Sequence, residues 1–177
     1  MLIEYNVKIP KERIAVLIGK QAEIKKRLEK RTKIKITVDS ESGDVDFDSD
    51  DAVKSLVLEN VIKAIGRGFN PEIAEILFNE DFCFDIINLK DYVKTKNDFA
   101  RIKSRLIGRN GGARENLERL SNTNISVYGK TVAIIARFDR IVYTREALIS
   151  LITGAPHAHV YEYLEKVNHK LEQGKEL

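Results

Sequence analysis

Apolar and polar residues alternate at the start of the chain. Ile3, Tyr5, Val7 and Ile9 repeat with the period of a half-buried strand. Pro10 ends that strand and suits the first turn of a short helix reaching Ile18. Residues 19–22 interrupt the pattern. Ile24 and Leu28 then share one helix face, on a helix expected to run to about Arg31. Ile34, Ile36 and Val38 alternate as a second strand, residues 40–44 form a turn, and Val45 and Phe47 mark a third strand. Ser49 or Asp50 is the expected cap of a helix with apolar positions Val53, Leu56, Val57, Val61, Ile62 and Ile65. It should end near Gly66 or Gly68. Asn70-Pro71-Glu72 supplies a cap, a proline at the first helical position and an acid in the first turn. It predicts a short helix to about Asn79 that joins two halves.

The second half repeats the order. A strand is expected over 82–89, a helix over 97–107, an interruption at 108–111 and a helix over 112–121. A hairpin should turn at Gly129-Lys130, followed by a helix from Asp139 that ends at Gly154. A last amphipathic segment, 157–172, has no evident counterpart in the first half. Sliding the chain by 89 residues places 13–38 on 102–127, with seven identical pairs: Leu17/Leu106, Ile18/Ile107, Gly19/Gly108, Leu28/Leu117, Glu29/Glu118, Ile36/Ile125 and Val38/Val127. Identities on apolar positions around a shared glycine favour duplication. Each copy reads β-α-α-β-β-α, and three strands can bury one face under helices. The fold class is therefore α+β.

Composition narrows the function. The chain has 177 residues, one cysteine and no run of apolar residues long enough to span a bilayer. Cys83 alone excludes an internal disulfide and multi-cysteine metal sites, and its apolar neighbours suggest core packing. No secretory leader is evident, so a reducing, cytoplasmic setting is expected. Net charge is only +3, but its distribution is uneven. Residues 8–35 carry eleven Lys/Arg against three Glu, 39–51 carry seven acids and no base, and 101–119 carry six Arg/Lys against two Glu. Such blocks suit one face for a polyanion and another turned away from it.

The sharpest motif is Ile107-Gly108-Arg109-Asn110-Gly111 between two short helices, with a basic helix before it and a hairpin after it. Glycines let the backbone approach phosphates, and the next helix start favours an anion. Arg109 adds a donor beside Asn110. Lys103, Arg105 and Arg114 are expected to extend the positive surface, and Ile107, Ile125 and Val127 to line a groove for bases. The first copy reads Gly19-Lys20-Gln21-Ala22, where the Ala22 Cβ disfavours positive φ. Lys11, Arg13, Lys20, Lys25 and Lys26 keep that region basic, as a secondary RNA- or partner-binding surface.

This helix–GxxG–helix order with a following hairpin resembles the type I KH domain, in which the loop clamps about four nucleotides of single strand. The resemblance extends to the whole chain. The linker Arg67-Gly68-Phe69-Asn70-Pro71-Glu72-Ile73-Ala74, the core Arg105-Leu106-Ile107-Gly108-Arg109-Asn110-Gly111 and the tail Leu151-Ile152-Thr153-Gly154-Ala155-Pro156, followed by Val160-Tyr161, resemble the two-KH ribosome assembly factors of the partner-of-Nob-one family. The resemblance implies two tandem type I KH domains: a first at 1–68 with a degenerate loop, a linking helix at 69–80, and a second at 81–177 with the intact loop and an extra C-terminal helix. It implies binding near the 3′ end of small-subunit rRNA and association with the PIN-domain endonuclease that trims that end. A start almost directly at the first strand points to the archaeal kind.

Other constellations carry less. His157 and His159 point to different sides of a helix, so they are not expected to share a metal. Asp44, Asp46 and Asp48 alternate on one strand face without EF-hand spacing. No catalytic arrangement and no phosphate-binding loop of the nucleotidase type is present, and no cofactor is expected. The rival reading is a protein-interaction adaptor that uses the first unit and the acidic stretch 39–51.

Overall fold

The computed structural model describes residues 2–174. The chain divides into two compact units, residues 1–79 and 80–177. The first runs β1 (Ile3–Lys8), α1 (Lys11–Ile18), α2 (Glu23–Thr32), β2 (Ile36–Val38), β3 (Asp44–Ser49), α3 (Ala52–Gly66) and α4 (Pro71–Ala74), the last continuing as a tight turn over Glu75–Phe78. The second runs β4 (Phe82–Asn88), α5 (Lys96–Ile107), α6 (Gly112–Ser121), β5 (Asn124–Tyr128), β6 (Thr131–Arg137), α7 (Phe138–Ile152) and α8 (His157–Glu172). Each unit holds one antiparallel sheet, ordered β1-β3-β2 and β4-β6-β5. The fold is α+β, with two type I KH arrangements in tandem.

The repeat seen in sequence is a repeat of core positions. Leu17/Leu106, Leu28/Leu117 and Ile36/Ile125 are all 2% exposed or less. Full burial of one such side chain contributes about 1.5–3 kcal/mol. The shared glutamates explain themselves as well. Glu29 Oε1 accepts the Ile36 amide at 2.8 Å, and Glu118 Oε1 accepts the Ile125 amide at 2.8 Å. Each therefore fastens the second helix of its unit to the strand after it. Thr32 and Ser121, similar rather than identical, both donate back to the carbonyl four residues earlier.

The helix pair in each unit turns on the same backbone. Gly19 and Gly108 have φ/ψ of 74°/175° and 71°/179°. Gln21 and Asn110 follow at 54°/30° and 53°/29°. Ala22 lies at 60°/26° and Gly111 at 80°/4°, both left-handed. A Cβ on Gly108 would stand 2.6 Å from the Ala113 Cβ, and one on Gly19 would collide with Ile24. The last position is different: a Cβ on Gly111 meets nothing closer than 3.7 Å. The expected limit on Ala22 is thus not realised. There is room for its methyl, and the surrounding helices hold it in the left-handed region against a cost of about 1–2 kcal/mol. The first loop is degenerate in sequence and intact in shape.

The third helix of each unit ends in the same capped turn. Phe69 N–H reaches Ala64 O and Gly68 N–H reaches Ile65 O; Ala155 and Gly154 do the same to Ser150 and Leu151. Gly68 and Gly154 take φ of 100° and 114°, the left-handed cap that glycine favours. A helix then starts in both units, at Pro71 and at His157. The short segment 71–78 is therefore a cut-down counterpart of α8, at a spacing of 86 residues. Arg27 binds Glu75 there at 2.6 Å, and Arg31 lies 4.2 Å over the Phe78 ring, which ties that segment to α2.

Some expectations are corrected. The α3 cap is Asp51, whose side chain accepts the Lys54 amide, while Ser49 Oγ accepts the Asp51 amide. Starting there, the helix buries Ser55, Leu58, Val61, Ile62 and Ile65 and leaves Val53 and Leu56 exposed. Asn70 caps its helix through its backbone carbonyl alone. Cys83 is half-buried rather than a core residue; its thiol points at the Ala136 carbonyl, and burial pushes its pKa up. β3 alternates buried and exposed residues, as a one-sided sheet requires, but residues 132–136 of β6 are buried throughout.

Two stability outcomes follow. Glu118→Ala strands the Ile125 amide and should lower unfolding free energy by about 1–3 kcal/mol in urea titration. Ala22→Gly relieves the left-handed alanine and should raise it by about 0.5–1 kcal/mol, whereas Gly108→Ala should lower it.

Candidate nucleic-acid interface

The sequence places ten candidate RNA-binding residues around the second loop, and the structure sorts them by what each side chain already holds. Arg109 and Asn110 sit at the loop tip and are exposed. Arg109 has no ion-pair partner among the described residues, and the same is true of half-buried Lys103 four residues before the helix end. Gly108 and Gly111 close the loop by their own hydrogen bond, with the Gly111 amide donating to Gly108 O at 3.3 Å. The outer side of the turn stays free for a ligand. Ile107 is half-buried beside it.

Arg105 is otherwise engaged. Its guanidinium donates to Leu151 O at 3.4 Å and to Ala155 O at 2.6 Å, the carbonyls at the end of α7. A cation there bonds the last carbonyls of the helix and interacts favourably with its dipole. Arg105 is thus a brace rather than part of an open positive surface. His157, at the start of α8, adds to the same brace: its Nε2–H donates to Arg105 O at 2.8 Å. Arg114 is half-buried and paired with Glu118 at 2.9 Å, on the carboxylate that fastens β5. Ile125 is 2% exposed and belongs to the core cluster, because its strand register turns it toward the helices. It offers no groove surface. Val127 is half-buried against the same cluster and keeps an accessible edge.

The first unit repeats this sorting. Gly19, Lys20, Gln21 and Ala22 form the loop, with Lys20 and Gln21 exposed. Arg13 is a brace like Arg105: it donates to Ile65 O and Phe69 O, both at 2.8 Å. Lys25 pairs with Glu29 at 3.9 Å. Lys26 reaches the Gln21 carbonyl at 3.2 Å, and Lys11 is exposed. Exposed cations on this side are therefore Lys11, Lys20 and Lys26. The acidic stretch breaks into three parts. Asp39 accepts the Glu41 and Ser42 amides in the turn, which holds its carboxyl below the usual range. Asp46 and Asp48 face outward from β3, and Asp51 caps α3. Among the described residues no group of three or more His, Cys, Asp or Glu could hold a metal, and no helix is long and apolar enough to cross a membrane.

The arrangement can bind a phosphate backbone at a glycine turn beside free cations. Sequence reasoning missed the braces: Arg105 and Leu151 lie 46 residues apart, and nothing local marks them as partners.

Known proteins share this design. Residues 83–169 match the family of second KH domains of PNO1, described as eukaryotic type KH-domain (KH-domain type I), and residues 4–55 match the KH domain family. A KH domain-containing protein of Methanocaldococcus jannaschii is 37% identical over 172 residues, 96% of this chain and 76% of that protein. The pre-rRNA-processing protein pno1 of Emericella nidulans is 30% identical over 118 residues, 65% of this chain and 46% of that protein. Among solved structures, Dim2p from Pyrococcus horikoshii has a TM-score of 0.86 at 46% identity, covering 93% of this chain and 99% of that one. The chain from the Pyrococcus horikoshii a/eIF2alpha-aDim2p-rRNA complex has a TM-score of 0.89 at 45% identity, covering 96% of each. With two KH folds, matches that cover 93–96% of the chain and the intact second loop, the chain belongs to the PNO1/Dim2-like family of KH-domain ribosome assembly factors.

Proposed function

We propose that the second unit grips single-stranded RNA at Gly108-Arg109-Asn110-Gly111, and that the strand is the 3′ region of small-subunit rRNA. The observation that carries this is the loop itself: a tight glycine turn whose two outward residues, Arg109 and Asn110, are exposed, with no ion-pair partner for Arg109 among the described residues. The relatives support the assignment to rRNA, since one is named for pre-rRNA processing and another was solved with rRNA. The role is placement and masking. The strand is held in one conformation until the PIN-domain nuclease cuts it or assembly releases it, and this role needs no catalytic group on the chain. The reading places the protein in the cytoplasm, with immature subunits. The first unit is a secondary RNA-binding surface of its own: its loop keeps the same backbone and carries Lys20, with Lys11 and Lys26 nearby. RNA avoids the Asp46/Asp48 face of β3.

The adaptor reading draws on different residues. Val53 and Leu56 are exposed at the start of α3, next to the acidic run. If the protein acts chiefly through them, partners captured from extract survive RNase; loss of every partner after RNase removes that reading.

Contact with about four phosphates predicts a log–log salt slope near −3 for a strand copied from the rRNA 3′ end. Arg109→Asp with Asn110→Asp should weaken binding roughly 10- to 100-fold and flatten the slope by about 0.7 per lost phosphate. Unchanged affinity in a variant that melts like the parent overturns the loop assignment.

A further inference from the structure

We propose that Phe99 and Lys130 form the far end of the RNA path on the second unit: the Phe99 ring stacks one unpaired base, and Lys130 holds the phosphate beside it. The proposal rests on the loop reading above and extends it by one nucleotide-binding position.

The two faces of α5 carry the argument. Arg105 points toward the ends of α7 and α8, which it braces. Phe99, Lys103 and Ile107 follow one another at intervals of four, so they share a stripe on roughly the opposite side of the helix. The stripe ends at the loop. It runs about 12 Å, from eight residues at 1.5 Å each. All three residues are half-buried and keep an accessible edge. Ile107 and Phe99 are apolar, and Lys103 lies between them without an ion-pair partner among the described residues. A strand leaving Arg109 and Asn110 therefore meets a cation half-way and an aromatic ring at the end.

The ring is already matched with a cation. Lys130 Nζ lies 5.2 Å from the Phe99 centroid, and Lys130 comes from the hairpin turn between β5 and β6. The turn is pinned, because the Leu89 amide donates to Lys130 O at 2.9 Å. The side chain itself is exposed, and such a contact at an exposed site is weak. Lys130 can leave the ring for a phosphate while a base takes its place. A ring face with an adjacent mobile cation is the usual pairing for single-strand binding, tolerant of sequence because every base has a π-face.

The first unit supplies an internal comparison. The same pin exists there, with the Ile9 amide donating to Gly43 O at 3.0 Å. On the repeat alignment, however, Phe99 falls on Pro10, and the shared hydrogen bond sets Lys130 against Gly43. The shared frame is kept, and only the second unit, the one with the full glycine loop, carries a ring and a cation on it.

The test uses the full chain and two strands copied from the rRNA 3′ end: one of about four nucleotides, enough for the loop, and one of about ten. Phe99→Leu keeps apolar volume and removes stacking. It should weaken the longer strand about tenfold and leave the shorter one unchanged. Lys130→Glu should weaken the longer strand and flatten its salt slope by about 0.7. An abasic scan of the longer strand should show one position, beyond the loop contacts, that matters to the parent and not to Phe99→Leu. Equal loss on both strands means a folding effect and overturns the proposal. Parent-like binding of both variants, while Arg109→Asp/Asn110→Asp fails to bind, also overturns it and leaves the loop reading intact. Parent-like binding by all three variants removes both.

Discussion

Each unit depends on one tight turn between its first two helices. Gly19 and Gly108 stand where the start of the next helix crosses close to the backbone, and a methyl group there has no space. That crossing sets the angle of the helix pair. The angle brings Leu28 and Leu117 over their sheets, and it puts Glu29 and Glu118 within reach of the strand amides they accept. The same turn pushes the two residues after the glycine outward, where Arg109 has no ion-pair partner among the described residues. Core closure and ligand presentation are two sides of one backbone constraint.

Much of this was legible from periodicity. The strand and helix order, the hairpin at Gly129-Lys130 and the bounds of α6 and α8 follow from apolar spacing and glycine placement. The duplication was legible too, because its identities sit where the core needs them. What was not legible has a common physical cause. Local patterns do not report which distant group a long side chain meets. Arg13 and Arg105 count as charge in sequence, yet each is spent on carbonyls more than 45 residues away. Ile125 reads as a groove residue by its place after the loop, but strand register turns it inward. Val53 and Leu56 read as core by type, but the helix packs on the face of Ser55, Leu58, Val61, Ile62 and Ile65 and leaves them exposed.

Ala22 shows the limit of residue-by-residue motif matching. A rule that demands glycine at the fourth loop position scores the first unit as lost. The backbone angles of the two loops differ little, because the packed helices on either side outweigh a local preference worth about 1–2 kcal/mol. The two units diverge instead in what hangs on a common frame: alanine or glycine in the loop, Gly43 or Lys130 in the hairpin turn, and eight residues or sixteen after the third-helix cap.

That last difference bears on how the protein is made. Segment 71–78 seals the first unit with its own residues, since Glu75 and Phe78 are held by Arg27 and Arg31 from α2. Arg27, Arg31, Glu75 and Phe78 all lie within residues 1–79, ahead of the 98 residues of 80–177. At about 5–20 residues per second, a ribosome takes roughly 5–20 s to synthesise that remainder, while small domains fold within microseconds to seconds. The first unit can be complete while the second is still being translated, so the chain folds in the order in which it is read.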